Sequence, residues 1–293
     1  MPVSMEMETI VPAYIPCHPK DVPMLPFCVD GLRSHPQIGT ISVIAPAEVA
    51  PACAALGVEF VDEESLLAHW FPGDIDDRDN RWYYQMFLKL SVAFLGDRAP
   101  DRFLIMDADS TLLHGFPLVD ERTGTVLQPR TDRHDVPYYA GIEELFGHAV
   151  PYAGSYTSHF MVYRAPIIRA MFAEFARVQG RPAEEGPDVL RELLQRCDRE
   201  TLSFSDYETY GHFAREHFPD EMRLVERQQL NVLYVAPSPR VLRLLAPHYD
   251  YVSFHAYRRP DRLSLKVAGA GWLALRLLRD RVGGRRRSAS VAG

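Results

Sequence analysis

The chain has 293 residues, 47% hydrophobic and 24% charged, enough to bury a sizeable core in one enzyme-sized domain. Its formal net charge of −7 argues against general nucleic-acid binding, which needs a basic surface for phosphates. The charge is uneven: between residues 262 and 287 seven arginines and Lys266 stand against Asp280 alone, a net of +7 that leaves −14 for the rest.

Strands are expected at 10–15, 40–44, 59–61 and 102–106, with helices at 23–32, 47–56 and 81–95 between them. Such alternation marks a mostly parallel sheet with helices on its faces. Past Leu113 the pattern loosens, with strands at 125–128 and 158–163 separated by an irregular stretch. Helices follow at 166–178, 187–197 and 205–217, then a strand at 230–235 and a strand-like segment ending at 250–257. No repeat and no linker interrupts this order.

Cys17, Cys28, Cys53 and Cys197 are scattered, without a C-x-x-C pair or zinc-site spacing, and read as reduced packing residues. Residues 1–9 hold Glu6 and Glu8 and no cationic start before an apolar block, and no apolar span reaches membrane length. A cytoplasmic location is the expectation.

The segment most loaded with chemistry is Arg102-Phe-Leu-Ile-Met-Asp-Ala-Asp-Ser-Thr-Leu-Leu113, an apolar strand that ends on two carboxylates one residue apart. Open α/β sheets bind ligands at the carboxyl edge of their strands, so Asp107 and Asp109 arrive where a ligand would sit. Two hard oxygen donors suit a divalent cation holding phosphates. The same letters open the D-x-D-x-T motif of haloacid-dehalogenase-type phosphatases, in which Asp107 would be a nucleophile and Asp109 an acid. That alternative needs a later acidic pair after an apolar strand, and Thr131-Asp-Arg-His-Asp135 lacks the apolar run. A third reading is a non-catalytic scaffold that binds a sugar nucleotide or a partner.

Upstream, the 81–95 helix has a buried stripe of Tyr83, Met86, Phe87, Leu90 and Phe94, while Trp82, Gln85 and Lys89 share another face. Such a face is ordinarily solvated; directly before the strand of Asp107, Lys89 could serve as a point charge for a leaving diphosphate. The acidic loop 74–79 lacks the glycine and terminal Glu of a calcium site and reads as solvated charge. Ser205 with Glu208 makes a capping box that puts Asp206 and Glu208 in a first helical turn. Either carboxylate could instead face a cleft and meet a sugar or acceptor hydroxyl. His159 and His255 sit beside aromatic residues and read equally as packing residues or ligands.

Together these motifs resemble a GT-A nucleotide-sugar glycosyltransferase. Trp82-Tyr-Tyr-Gln-Met-Phe-Leu-Lys-Leu90, the D-x-D, Ser158-His-Phe-Met161, Ser205-Asp-Tyr-Glu-Thr-Tyr-Gly211 and Ser253-Phe-His255 resemble a poorly characterised bacterial family of predicted glycosyltransferases, over about residues 10–259. The resemblance implies an α/β fold of GT-A type, a mixed and mostly parallel sheet flanked by helices, with a C-terminal helical extension. It implies a catalytic domain over 1–262, with a nucleotide-sugar half at 10–113 and an acceptor half at 114–262. It also implies a hexosyltransferase-like activity on a nucleoside-diphosphate sugar, with Mn2+ or Mg2+ on Asp107 and Asp109. As in glycosyltransferase family 8, a late histidine, His255, would complete the metal shell. Ala13 and Tyr14 at the end of the first strand would contact the base, with Trp82, Gln85, Lys89 and His159 also toward the donor. Asp206 and Glu208 are the candidate catalytic carboxylates, and retention or inversion stays open.

The tail, 263–293, reads as a basic amphipathic helix followed by a disordered Gly283-Gly-Arg-Arg-Arg287. Leu263, Val267, Ala270, Ala274, Leu277 and Leu278 can share one face. That helix either docks on the domain or lies on the inner face of an anionic membrane.

Overall fold

The computed structural model describes residues 10–67, 78–96, 99–131, 136–150, 154–196, 204–233, 235–255 and 263–288. The strands are β1 (Val11–Pro16), β2 (Ile38–Ala45), β3 (Glu59–Asp62), β4 (Arg102–Met106), β5 (Ser110–Leu112), β6 (Val126–Pro129), β7 (Phe160–Arg164), β8 (Met222–Val225), β9 (Gln229–Val232) and β10 (Tyr251–Phe254). The helices are α1 (Leu25–Arg33), α2 (Ala50–Leu56), α3 (Glu63–Leu67), α4 (Arg78–Ser91), α5 (Val136–Phe146), α6 (Ala165–Val178), α7 (Gly186–Arg196), α8 (Asp206–His217), α9 (Pro239–Leu245) and α10 (Leu263–Ser288). The fold is mixed α/β, and its largest sheet is mostly parallel and flanked by helices.

The chain divides into two compact units, one built from residues 1–19, 37–107 and 117–226, the other from 20–36, 108–116 and 227–293. The first carries the sheet β3-β2-β1-β4-β7, in which β3, β2, β1 and β4 run parallel and β7 is antiparallel to β4. Phe103, Leu104, Ile105 and Met106 of β4 are all fully buried, which is why this strand reads as an unbroken apolar run rather than an alternating one. The strand order turns at β1, whose neighbours are β2 on one side and β4 on the other, and Asp107 follows β4 at that switch point. A smaller parallel pair, β6 with β8, belongs to the same unit.

The second unit carries the sheet β5-β10-β9, with β10 antiparallel to β5 and parallel to β9. α1 lies close on β5: a Cβ on Gly31 would stand 2.5 Å from Thr111 Oγ1 and 2.8 Å from the Leu112 carbonyl oxygen. Leu230, Val232, Leu245, Val252, Phe254 and Leu273 form its apolar core. Cys17, Cys28 and Cys53 are buried, in keeping with packing residues; Cys197 and most of the acidic loop lie outside the described residues.

Five elements escaped the sequence. β5 and β8 are three and four residues long, and α3 is five, too short for a period to show. α5 fills part of the irregular stretch with a segment in which aromatic and β-branched residues mask helical spacing. α9 had a readable start: Ser238 accepts a hydrogen bond from the Val241 amide, and Pro239 is its first residue.

Candidate active site

Two helices of the first unit are buried on all sides along part of their length. Residues 83–84 and 86–93, from α4 into the turn that follows it, and residues 206–214 of α8 are buried. A helix wrapped in this way is normally apolar throughout, yet α4 carries Lys89 and α8 carries Asp206, 4% and 1% exposed. The bland alternative of a solvated Lys89 face does not hold: α4 packs into the core, and its lysine finds charge partners there instead of water.

Lys89 Nζ stands 2.9 Å from Asp107 Oδ1 and 3.6 Å from Asp206 Oδ2. It also lies 4.3 Å from the centroid of the Tyr207 ring, within range of a cation–π contact. Burial on its own would lower the Lys89 pKa, but the two carboxylates reverse the effect and raise it. Burial also works against ionised Asp107, and there the charge of Lys89 and the His159 hydrogen bond prevail, holding that carboxyl well below its usual range. At Asp206 burial prevails and the pKa is raised, with Lys89 and the Tyr163 hydrogen bond offsetting only part. One buried cation thus serves two carboxylates unequally.

Two phenols that sequence reasoning missed complete the cluster. Tyr207 donates to Asp107 Oδ1 at 3.1 Å, and Tyr163 donates to Asp206 Oδ2 at 2.8 Å. Burial, then the neighbouring carboxylate, raises both phenol pKa values well above normal, so both stay protonated as donors. Tyr207 follows Asp206 directly in the quoted motif, and Tyr163 lies on β7 across from Phe103. Only the fold shows that they point at the acids.

His159 meets the cluster through Asp107. Its Nδ1 is 3.3 Å from Asp107 Oδ2, and its carbonyl accepts the Asp107 amide at 2.9 Å. Among the described residues it is the one non-glycine with positive φ, 63°. Holding a β-carbon in that region costs on the order of 1 kcal/mol, strain of the kind that clusters at functional sites.

Glu208 is buried like Asp206 but turned elsewhere. Ser205 caps α8 by accepting the Glu208 amide at 3.4 Å, the serine half of the expected box. The Glu208 carboxylate accepts from the Ser155 hydroxyl, from Thr157 Oγ1 at 3.0 Å and from the Tyr156 amide at 3.1 Å. It thereby ties α8 to the segment that leads into His159. Gly211, last residue of the same motif, has a steric role: a Cβ there would lie 2.3 Å from the Tyr156 ring.

Other candidates lie apart from this cluster. Ala13 is sealed inside the sheet, fully buried, because β1 is flanked by β2 and β4. Tyr14 stacks edge-on to Phe103 and lines a cavity of about 710 Å³ with Ser42, Glu59, Asp62 and Phe94. Gln85 is half-buried, and the Trp82 side chain lies outside the described positions, as do residues 132–135.

In the second unit Asp109 and His255 meet each other. His255 Nδ1 is 3.8 Å from Asp109 Oδ2, and the Phe254 amide donates to the Asp109 carbonyl at 2.7 Å, which fixes the two side chains side by side. A carboxylate and an imidazole, 19% and 12% exposed, form a donor set that suits Mn2+, and by chemistry the pair fits a divalent cation. Among the described residues no group of three or more His, Cys, Asp or Glu side chains is arranged to hold a metal. Any cation at this pair would take its remaining ligands from substrate or water.

No family model and no curated protein matches the sequence. In structure the chain is similar to mouse xyloside xylosyltransferase 1, at 10% identity and a TM-score of 0.48, over 86% of this chain and 99% of that one. It is also similar to the galactosyltransferase LgtC solved with donor and acceptor sugar analogs, at 11% identity and a TM-score of 0.48, over 91% and 95% of the two chains. WbbM, a bifunctional glycosyltransferase, is similar at 9% identity and a TM-score of 0.44, over 86% of this chain and 47% of that one.

Proposed function

We propose that the protein is a metal-dependent glycosyltransferase of GT-A type, moving a hexose-like sugar from a nucleoside-diphosphate sugar to a glycan, lipid-linked glycan or small-molecule acceptor. The observation that carries this reading is the buried cluster of Lys89, Asp107 and Asp206 placed directly after β4, at the switch point of the parallel sheet. Glycosyl transfer from such a donor releases a diphosphate, so the site must supply fixed positive charge to the leaving group and acceptors for sugar hydroxyls. Lys89 is the fixed cation. Asp206, held by Tyr163, accepts a hydrogen bond from a sugar hydroxyl, and His159 and Gln85 contact the donor.

Glu208 acts as a positioning residue through the 155–157 segment. Tyr14 is the base-side contact that the fold leaves half-exposed. Asp109 and His255 are the residues that would hold Mn2+ or Mg2+, and a bound cation would supply charge against the diphosphate. The cell location we favour is the cytoplasm, with peripheral contact of α10 at the inner membrane face.

A manganese-supplemented screen of nucleotide sugars, read by hydrolysis and by thermal stabilisation, tests the reading. One donor should respond, and Asp107→Asn and Asp109→Asn should each abolish the response. Magnesium-dependent turnover of generic phosphate esters that Asp107→Asn abolishes, with no nucleotide-sugar response, would transfer the site to the phosphatase alternative.

A further inference from the structure

We infer that the outward face of α10, formed by Val267, Trp272, Leu275 and Leu278, is a docking surface for an anionic lipid bilayer. This commits the peripheral contact proposed above to particular residues and one lipid charge; it rests on α10 and not on the donor chemistry.

The structure splits the single apolar face expected from the sequence. One side of α10 is docked within the second unit. Leu273 is 7% exposed in the core with Leu230, Val232 and Leu245, and Leu277 packs against the same cluster. Tyr249 donates to Asp280, and Arg276 lies 3.4 Å from the same carboxylate, pinning the helix at its polar margin. The opposite side faces outward and is also apolar: Leu275 is 70% exposed, Val267 64%, Leu278 57% and Trp272 40%. At 3.6 residues per turn, Val267, Leu275 and Leu278 fall within roughly 80° of arc, with Trp272 beside them. Among the described residues six large apolar side chains are exposed, and four are these. Single exposed hydrophobics need no explanation, but a stripe on one helix does.

Charge selects the occupant. Arg279 flanks the stripe at 72% exposure, and the 262–287 stretch that contains it carries +7 against −14 for the rest of the chain. A surface of negative lipid headgroups attracts this helix and repels the remainder, which orients the molecule with α10 toward the bilayer. An indole beside aliphatic residues and arginines is also the composition that settles at a headgroup boundary. Among the described residues no helix is long and apolar enough to cross a membrane, so α10 would lie in the interface rather than span it.

Flotation of the full chain with vesicles of pure phosphatidylcholine and of phosphatidylcholine with 30% phosphatidylglycerol, on the order of the anionic content that gives a membrane its surface potential, tests this. Wild type should float with the anionic vesicles and release at high salt. Leu275→Ser with Leu278→Ser should lower the bound fraction about tenfold, and Arg279→Glu should weaken binding to anionic vesicles alone. These side chains are exposed, so the variants should keep the wild-type melting temperature and the wild-type response to nucleotide sugars. Equal binding to both vesicle types, or flotation unchanged by the double serine variant, would overturn the inference. A dimer that the same variant dissolves, with no vesicle binding, would overturn it in favour of a second copy on this face. Loss of vesicle binding with an intact donor response removes the membrane surface alone; loss of the donor response with intact flotation removes the enzymatic reading alone.

Discussion

Asp107 and Asp109 are two residues apart in sequence and live in different surroundings. In the first unit Asp107 is ion-paired to a buried lysine, accepts a phenol and lies beside a histidine held in a strained backbone conformation. In the second unit Asp109, just before β5, lies against His255, just after β10, and is 19% exposed. The two carboxylates are therefore not equivalent in their surroundings. One is built into a buried cluster in which a single lysine faces two carboxylates, and the other is half of a small donor pair with access to solvent.

The sharpest way to break this comparison is to remove the cation. Lys89→Ala leaves two buried carboxylates without their charge partner and should cost about 3–5 kcal/mol in chemical denaturation. Asp109→Asn, at a partly exposed pair, should stay within about 1 kcal/mol. Similar losses from both substitutions would erase the distinction.

A second contrast is in pH. Burial holds His212 down to about 4 from 6.5, between the rings of Tyr139 and Tyr156. Its folded-state pKa is depressed, so the unfolded chain binds more protons between these values. The His212 contribution is complete above pH 6.5 and is lost as pH falls toward 4, by up to about 3 kcal/mol. Melting temperatures of wild type and His212→Gln from pH 7.5 to 4.5 should diverge in slope over that window. Parallel curves would show that His212 is not held neutral.

Metal comes next. Saturating Mn2+, about 100 times its dissociation constant, should stabilise wild type by about 2.7 kcal/mol, and both Asp109→Asn and His255→Ala should remove that gain. Retention of the full manganese shift in both variants would deny the pair its role.

Smaller effects come from the two tight glycines. Gly211→Ala, pressed on the Tyr156 ring, and Gly31→Ala, pressed on Thr111 and Leu112, should each cost about 1–3 kcal/mol of stability. The former should also depress the donor response, because Tyr156 belongs to the segment that precedes His159. Equal effects on donor response would show that the motif glycine is no closer to the chemistry than the other.

Much of the first unit was readable from the chain. The apolar run of β4 matched its observed bounds, because a strand buried on both faces needs no alternation. Ser205 announced the start of α8 because capping is decided within four residues. Less could be read where contacts are distant. α3, β5, β8 and α9 are short elements held by their neighbours, and the interleaving of the two units leaves no compositional trace.

By itself, then, the sequence determined the longer strands and helices in their order, the two acids at the end of β4 and the basic bias of the tail, all properties of local period and composition. Tertiary structure alone decided that Lys89 is a core residue with two acid partners, that Tyr163 and Tyr207 serve those acids, and that Glu208 faces a backbone segment instead of the cluster. It also decided which side of α10 is docked and which is bare. The reason is the same in each case: a residue type sets what a side chain can do, but burial and the charges packed against it set what it must do, and those come from residues as distant in the chain as Lys89 and Asp206.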